Sequence, residues 1–375
     1  MRTLFLLLSL FVTQTLFAAT PWLKHPLRYV SADSVVTWGY DGRDFRALAL
    51  SVDSSLKTKP LVLTRKQWDG RKTTFEQWNA LKPQFNVMGG TGNYFTEPQT
   101  LSAAKGINQA AMLFLMQGKA EYMDYVERAL YNATMHTVRD TLLPATDLDK
   151  WVAASLLFAA PGLMYATSPT HTDLYVNLYA NSLTAIQLGD LHFSLDQITE
   201  MPLTGSVKFR IMGMKGSNKL KLHFRLPEWT GMRSGTPYIY IGGETLHPTL
   251  YVNGHEIDPL PVDEDGYLVV ERNWRNMDEV YIDLPLQAQY VLPASTPNEK
   301  RFAPIQNHPV MQVGPVAYVP RGRTEGYYFL PKQPLTITDT FGVAGLPTLQ
   351  GIMYDVKNAK QDAEAERKEF IAEPY

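Results

Sequence analysis

Lys219-Leu220-Lys221-Leu222-His223-Phe224-Arg225-Leu226 sets an apolar side chain at every second position, with Lys, His or Arg between them. A period of two belongs to a strand with one face buried and the other in water. Working outward, Leu174, Val176 and Leu178 alternate in the same way with Tyr175, Asn177 and Tyr179. The pattern predicts further strands at 206–212, 237–241, 249–252, 267–271, 279–284 and 313–319. Asn253-Gly254 and Asp265-Gly266 punctuate them, and both pairs are hairpin signals because a type I′ turn needs positive φ at both central positions. Short strands with regular turns predict an antiparallel β-sandwich over 172–350. Residues 351–375 read as a C-terminal tail, whose charged part from Asp355 to Phe370 is expected to be a solvated helix or a loose excursion.

Upstream, the period becomes helical. Ile107, Ala111, Phe114 and Leu115 share one face, Tyr122, Val126 and Leu130 another, and Gln117-Gly118-Lys119 separates them as a turn between two packed helices. A third helix is predicted from about Asp149 to Tyr165, capped by Thr146 and Asp147 and broken by Pro161-Gly162. This helical segment covers 94–171. It follows an irregular α+β segment at 20–93, which contains the strand-like Ala47-Leu48-Ala49-Leu50-Ser51-Val52. The fold class is therefore α+β.

The chain has no cysteine, which excludes disulfides, thiolate metal sites and a thiol nucleophile. A net charge of −2 argues against nucleic acid or an anionic membrane as partner. Met1-Arg2, an apolar run from Leu4 to Val12 and small residues up to Ala19 read as a signal peptide over 1–19, cleaved near Ala18 or Ala19. The apolar run is shorter than the roughly 20 residues of a membrane span, so a periplasmic or secreted protein is expected.

Several strings carry a likeness when taken in order. They are the run from Gly118-Lys119-Ala120-Glu121-Tyr122 to Tyr131-Asn132, Leu174 to Tyr179, Leu226-Pro227-Glu228-Trp229, Tyr251-Val252-Asn253-Gly254, Gly266-Tyr267 through Trp274, Asp283-Leu284-Pro285-Leu286, and Gly314-Pro315-Val316-Ala317-Tyr318. Over roughly residues 86 to 375 this chain resembles glycoside hydrolase family 127 and its relatives, the β-L-arabinofuranosidase-like proteins. The resemblance implies a partial or remodelled (α/α) helical barrel segment followed by the β-sandwich, with a sugar site in the barrel mouth and carbohydrate as partner. Only about three helices are recognisable here, so a partner chain or oligomer could complete the barrel. The resemblance also implies a cysteine thiolate nucleophile held on zinc, with a glutamate as acid/base. Counting back from the matching strings puts the family's Glu-x-Cys ligand pair at about Gln99 and Leu101 and its adjacent cysteines near Leu148 and Asp149, with no cysteine to fill the thiolate positions.

The catalytic candidates are thus carboxylates: Glu97, Asp147 and Asp149. Glu97 follows Gly89-Gly90-Thr91-Gly92, which resembles the family's glycine turn ahead of its acid/base glutamate. A two-carboxylate glycosidase would need Glu97 and one aspartate roughly 5 to 9 Å apart. The alternative makes Glu97 a loop carboxylate and the aspartates helix caps. His136, Trp151 and His192 are the substrate-contact candidates, the histidines being nearest the family segments that approach the sugar. The histidine spacing matches no zinc motif and the glycine run lacks a phosphate-loop ending, so no metal and no cofactor are expected. Together these readings predict an exported glycoside hydrolase-like protein. It would act on or bind plant-type polysaccharide, L-arabinofuranose-containing chains among them, without zinc–thiolate chemistry. The alternative is a non-catalytic carbohydrate-binding or scaffold protein.

Overall fold

Gly118 ends a helix in the left-handed conformation (φ 73°) and lets the next helix fold back, as the sequence predicts. The computed structural model describes residues 25–39, 44–57, 59, 61–92, 99–139, 145–216, 219–243, 246–295, 305–306, 309–331, 333–342, 345–355 and 367–375. The expected signal peptide and Glu97 lie outside these residues. Seven α-helices are described: α1 (Phe45–Val52), α2 (Arg65–Asp69), α3 (Arg71–Leu81), α4 (Thr100–Gln117), α5 (Ala120–Arg128), α6 (Met135–Arg139) and α7 (Asp147–Ala159). A π-helical turn, Ala129–Thr134, joins α5 to α6.

Two helical readings need correction. Ala47 to Val52 looks strand-like but lies in α1, because Asp44 caps the segment by accepting from the Arg46 and Ala47 amides. Its buried residues Phe45 and Ala49 stand four apart, the spacing of a helix face. The third helix stops at Ala159, where Pro161 favours a 3-10 turn, and the chain is a strand again by Tyr165.

The strands form three sheets. The first is β1 (Arg28–Tyr29), β3 (Tyr165–Thr167), β4 (Asp173–Val176), β8 (Lys219–Arg225) and β12 (Tyr267–Asn273), in that spatial order. The second runs β11 (His255–Glu256), β10 (Thr249–Val252), β13 (Glu279–Asp283), β7 (Ser206–Lys215), β6 (Leu191–Thr199), β5 (Ser182–Leu188) and β2 (Val35–Thr37). These two face each other as the expected sandwich, with buried Phe224 of β8 meeting buried Phe209 of β7 at 4.8 Å between ring centroids. The third sheet runs β15 (Ile305–Gln306), β18 (Tyr327–Phe329), β20 (Pro347–Asp355), β21 (Arg367–Pro374), β17 (Val316–Pro320), β16 (Val310–Val313), β14 (Ala288–Pro293) and β9 (Tyr238–Ile241), with β19 (Thr336–Phe341) paired to β20. Pairing is antiparallel throughout except between β4 and β8.

Three differences from the sequence reading have physical causes. Residues 313–319 are a hairpin of β16 and β17 turning at Gly314 (φ 55°), not one strand. The hairpin of β5 and β6 escapes notice because two inward positions of β5 are Ser182 and Thr184, which disguise the alternation. The supposed tail supplies most of β20 and all of β21, where Met353, Phe370 and Ala372 are buried.

Asn253 (φ 52°) and Gly254 (φ 78°) make the expected type I′ turn between β10 and β11. At Asp265-Gly266 only the glycine has positive φ. A Cβ on Gly266 would stand 3.0 Å from that of Ala120, so this glycine lets the sandwich approach α5 closely.

Buried charges fix that approach. Arg225 of β8 is fully buried; it donates to Asp124 Oδ1 at 2.6 Å, to the Asn177 carbonyl at 2.5 Å and to Glu127 Oε1. Trp229 Nε1 donates to the other oxygen of Glu127 at 2.9 Å. Arg128 binds Glu228 at 2.9 Å, and Asn132 bonds both Pro315 and Ala317 of the third sheet's hairpin.

Candidate functional site

The start of α7 holds the two aspartates chosen from sequence. Thr146 caps the helix, its hydroxyl accepting from the Asp149 amide at 3.1 Å. Asp149 Oδ2 accepts in return from the Thr146 amide at 3.1 Å and from its hydroxyl at 2.6 Å, closing a capping box. Asp147 is exposed in the first turn, where a carboxylate suits the positive end of the helix dipole. The geometry therefore uses both aspartates for the helix start.

Trp151 follows on the same helix and is 51 % exposed. Its Nε1 donates at 3.2 Å to Asp53 Oδ2, at the C-terminus of α1. Asp53 Oδ1 also accepts from the Ser55 hydroxyl and amide, and these bonds hold its carboxyl below the usual range. Trp151, Asp53, Ser55, Lys57, Ser155 and Phe158 help line a cavity of about 470 Å³. An indole face beside an ionised carboxylate, hydroxyls and an ammonium is suited to a polyhydroxy ring, whose apolar face stacks while its hydroxyls donate to Asp53.

The other substrate-contact candidates lie elsewhere. His136 is 3 % exposed on α6 and stacks on Tyr375 with ring centroids 4.3 Å apart. His192 is exposed on β6 in the second sheet, in register with Gln187 and Lys215. Of the three, Trp151 lines the cavity described above. The glycine run is a packing turn: Asn86 Oδ1 accepts from the Met88 and Gly90 amides, and Gly89 (φ 86°) presses so close to Ala129 that a Cβ would lie 2.7 Å from its Cα. Gln99 is buried and accepts from Asn86 at 2.7 Å, whereas Leu101 and Leu148 are exposed apolar residues. With Asp149 in its capping box, these positions do not fit a zinc–thiolate centre.

Sequence reasoning missed a second concavity, of about 370 Å³, between α5 and the sandwich. Glu121, Asp124, Glu228, Asp263, Glu264 and Asp265 line it, together with Lys119 and Arg233. The carboxylates belong to segments far apart in the chain, so no local motif announces them. Burial, then the neighbouring Asp263, raises the Asp265 carboxyl to about 6. His223 Nε2 lies 2.9 Å from Asp173 Oδ1, its Nδ1 lies 3.7 Å from Asp263 Oδ2, and Tyr175 stacks on its ring. Burial opposes a charge on His223, but the two aspartates outweigh it and raise its pKa. Burial likewise works to raise Asp173, yet the bonds from His223 and Thr172 win and bring it to about 2.

The pH dependence follows from these directions. The folded chain holds the Asp265 proton more tightly than the unfolded chain, so stability falls as pH rises from about 4 through 6. The His223 contribution is complete below its ordinary value and is lost as pH rises through the raised one. The Asp173 contribution is present above about 4 and is lost as pH falls toward 2. On these three groups thermal stability should therefore peak near pH 4 and decline above it. Asp265→Asn should stabilise the protein by about 1 kcal/mol at neutral pH, the shift being discounted for partial exposure, and should give no gain near pH 4. A melting series across pH for both proteins checks this; an Asp265→Asn gain of equal size at both ends would refute it.

Residues 173–286 match the family model for the GH127 middle domain of beta-L-arabinofuranosidase. Among solved structures, a GH127 beta-arabinofuranosidase matches with a TM-score of 0.66 and 18% identity, over 91% of this chain and 58% of that one. A GH127 beta-L-arabinofuranosidase from Geobacillus stearothermophilus T6 matches at 0.63 and 18%, over 88% and 56%. A structure described as a glycoside hydrolase matches at 0.65 and 17%, over 92% and 64%. No curated protein matches the chain in sequence. The fold is that of the GH127 glycoside hydrolases. The chain resembles their β-L-arabinofuranosidases in sequence through the middle domain, and it spans less than two-thirds of each solved structure.

Proposed function

We propose that this protein is an exported, glycoside hydrolase-like protein that binds plant-type polysaccharide bearing L-arabinofuranose, at the Trp151 cavity and without zinc–thiolate chemistry. The GH127 middle-domain match, set in a fold of the same kind, carries the reading. The half-exposed indole beside Asp53 supports the choice of site. The absence of any cysteine, and the engagement of Asp149 in a capping box, favour binding over turnover.

Calorimetric titration with arabino-oligosaccharides, alongside an assay for released arabinose, tests both halves. Binding without release is expected, and Trp151→Ala should weaken it about tenfold or more, as removal of a central aromatic anchor does. Failure to bind arabino- or xylo-oligosaccharides would remove the proposal altogether. Release of arabinose, abolished by Glu97→Gln, would establish a carboxylate hydrolase in place of a binder.

A further inference from the structure

We infer that the outward face of β7, β10 and β13 is a second saccharide-binding surface, built for a neutral glycan chain. The inference rests on the carbohydrate-binding reading and adds a site that the Trp151 cavity does not include.

The pleat dictates which side chains share this face. Leu250, Val252, Val280, Ile282, Val207 and Phe209 point into the sandwich and are buried. The intervening residues face outward, and the register lays them in rows. Thr249 pairs with Asp283 and Asp283 with Ser206; Tyr251 pairs with Tyr281 and Tyr281 with Lys208; Glu279 pairs with Arg210. Asn253 stands at the end of the third row, its amide nitrogen donating to the Glu279 carbonyl at 2.9 Å. The two tyrosine rings occupy the middle row with centroids 6.1 Å apart, tilted at 54°. They help line a concavity of about 570 Å³.

Charge narrows the ligand. Glu279 takes both cations of the face, Lys208 at 2.9 Å and Arg210 at 2.8 Å. With Asp283 the face carries two carboxylates against two cations, which favours neither an anion nor a cation. The Asp283 side chain has no hydrogen bond or ion pair among the described residues, so its carboxylate is available to accept. The Tyr281 hydroxyl is held by Ser206 at 2.9 Å, which steadies that ring. Two rings able to stack on apolar sugar faces, beside an open carboxylate and uncharged polar groups, are matched by a polyhydroxy chain. A purely structural tyrosine pair would contribute to sheet stability and leave binding untouched.

The test uses the full chain and a linear arabino-oligosaccharide. In calorimetry the wild type should take up a second equivalent that Trp151→Ala retains. Tyr251→Thr/Tyr281→Thr should lose that equivalent, or weaken it by about tenfold. Thr is β-branched and is well accepted in a strand. Should the double variant fail to fold, Asp283→Asn leaves both rings in place and should still weaken the second equivalent. A folded double variant, or Asp283→Asn in its stead, with unchanged binding at this equivalent overturns the inference. So does loss of self-association in place of loss of sugar. If the wild type binds a single equivalent that Trp151→Ala abolishes, the proposed function stands and this second surface falls; if it binds no glycan, both fall.

Discussion

Arg225→Met is expected to destabilise the fold by about 3–5 kcal/mol, the loss found when one partner of a buried ion pair is removed. The guanidinium is fully buried and answers two carboxylates on successive turns of α5, Asp124 and Glu127. It also satisfies the Asn177 carbonyl, while its own carbonyl accepts from the Tyr179 hydroxyl. Met would fill much of the volume but answer neither charge. Asp124 would keep Arg233 and Glu127 would keep the Trp229 indole, so each would lose one cation while staying dry. The check is the urea midpoint at constant slope. Adding Glu127→Gln should return part of the loss, because an amide costs less to bury than an unpaired carboxylate. If the double variant is as unstable as the sum of the single ones, uncompensated charge is not the cause.

Arg128→Met should cost a comparable amount and should do so in a strongly pH-dependent way. Its guanidinium donates to Glu228 and to the Val87 carbonyl at 2.9 Å, to Gln312 at 3.0 Å and to the Tyr240 hydroxyl at 2.5 Å. It also lies 4.0 Å from the centre of the Tyr238 ring. Burial pushes the Glu228 carboxyl up even with Arg128 beside it. Without the arginine that rise must grow. The folded variant then binds the Glu228 proton more tightly than the unfolded chain, so the damage is greatest at high pH and is relieved as pH falls toward an ordinary carboxylate value. Denaturation at several pH values reads this directly. A loss independent of pH would place the cost in the hydrogen bonds to Val87, Gln312 and Tyr240, not in the stranded carboxylate.

These two arginines also mark where the sequence stops being legible. The alternation around Arg225 identifies its strand, and the helical period identifies α5. Yet Arg225 and its carboxylates stand 101 and 98 residues apart, and nothing local says that they meet. Arg225 even reads as a solvent-face residue, because its strand alternates so regularly. It is buried since the outer side of β8 is covered by α5 at that end. Signals carried by one turn or one cap survive: Asn253-Gly254 makes its type I′ turn and Thr146 caps its helix. Signals that need a partner do not. Trp151 was readable as an aromatic, but its position beside Asp53 comes only from the packing of α1 on α7. The acidic concavity at α5 was unreadable, being assembled from separate turns of the sandwich.

The placement of β1 and β2 bears on the order in which the molecule can assemble. Arg28 of β1 pairs with Thr167, and Val35 of β2 pairs with Thr184. Each short strand thus precedes its partner by about 140 to 150 residues and has no nearer sheet to join. Closing such a span spends chain entropy before any ladder bond repays it, so these edges should be the last part of the two sheets to zip up. The first of the described strands are then a finishing step, and the sandwich behind them must already stand when they arrive.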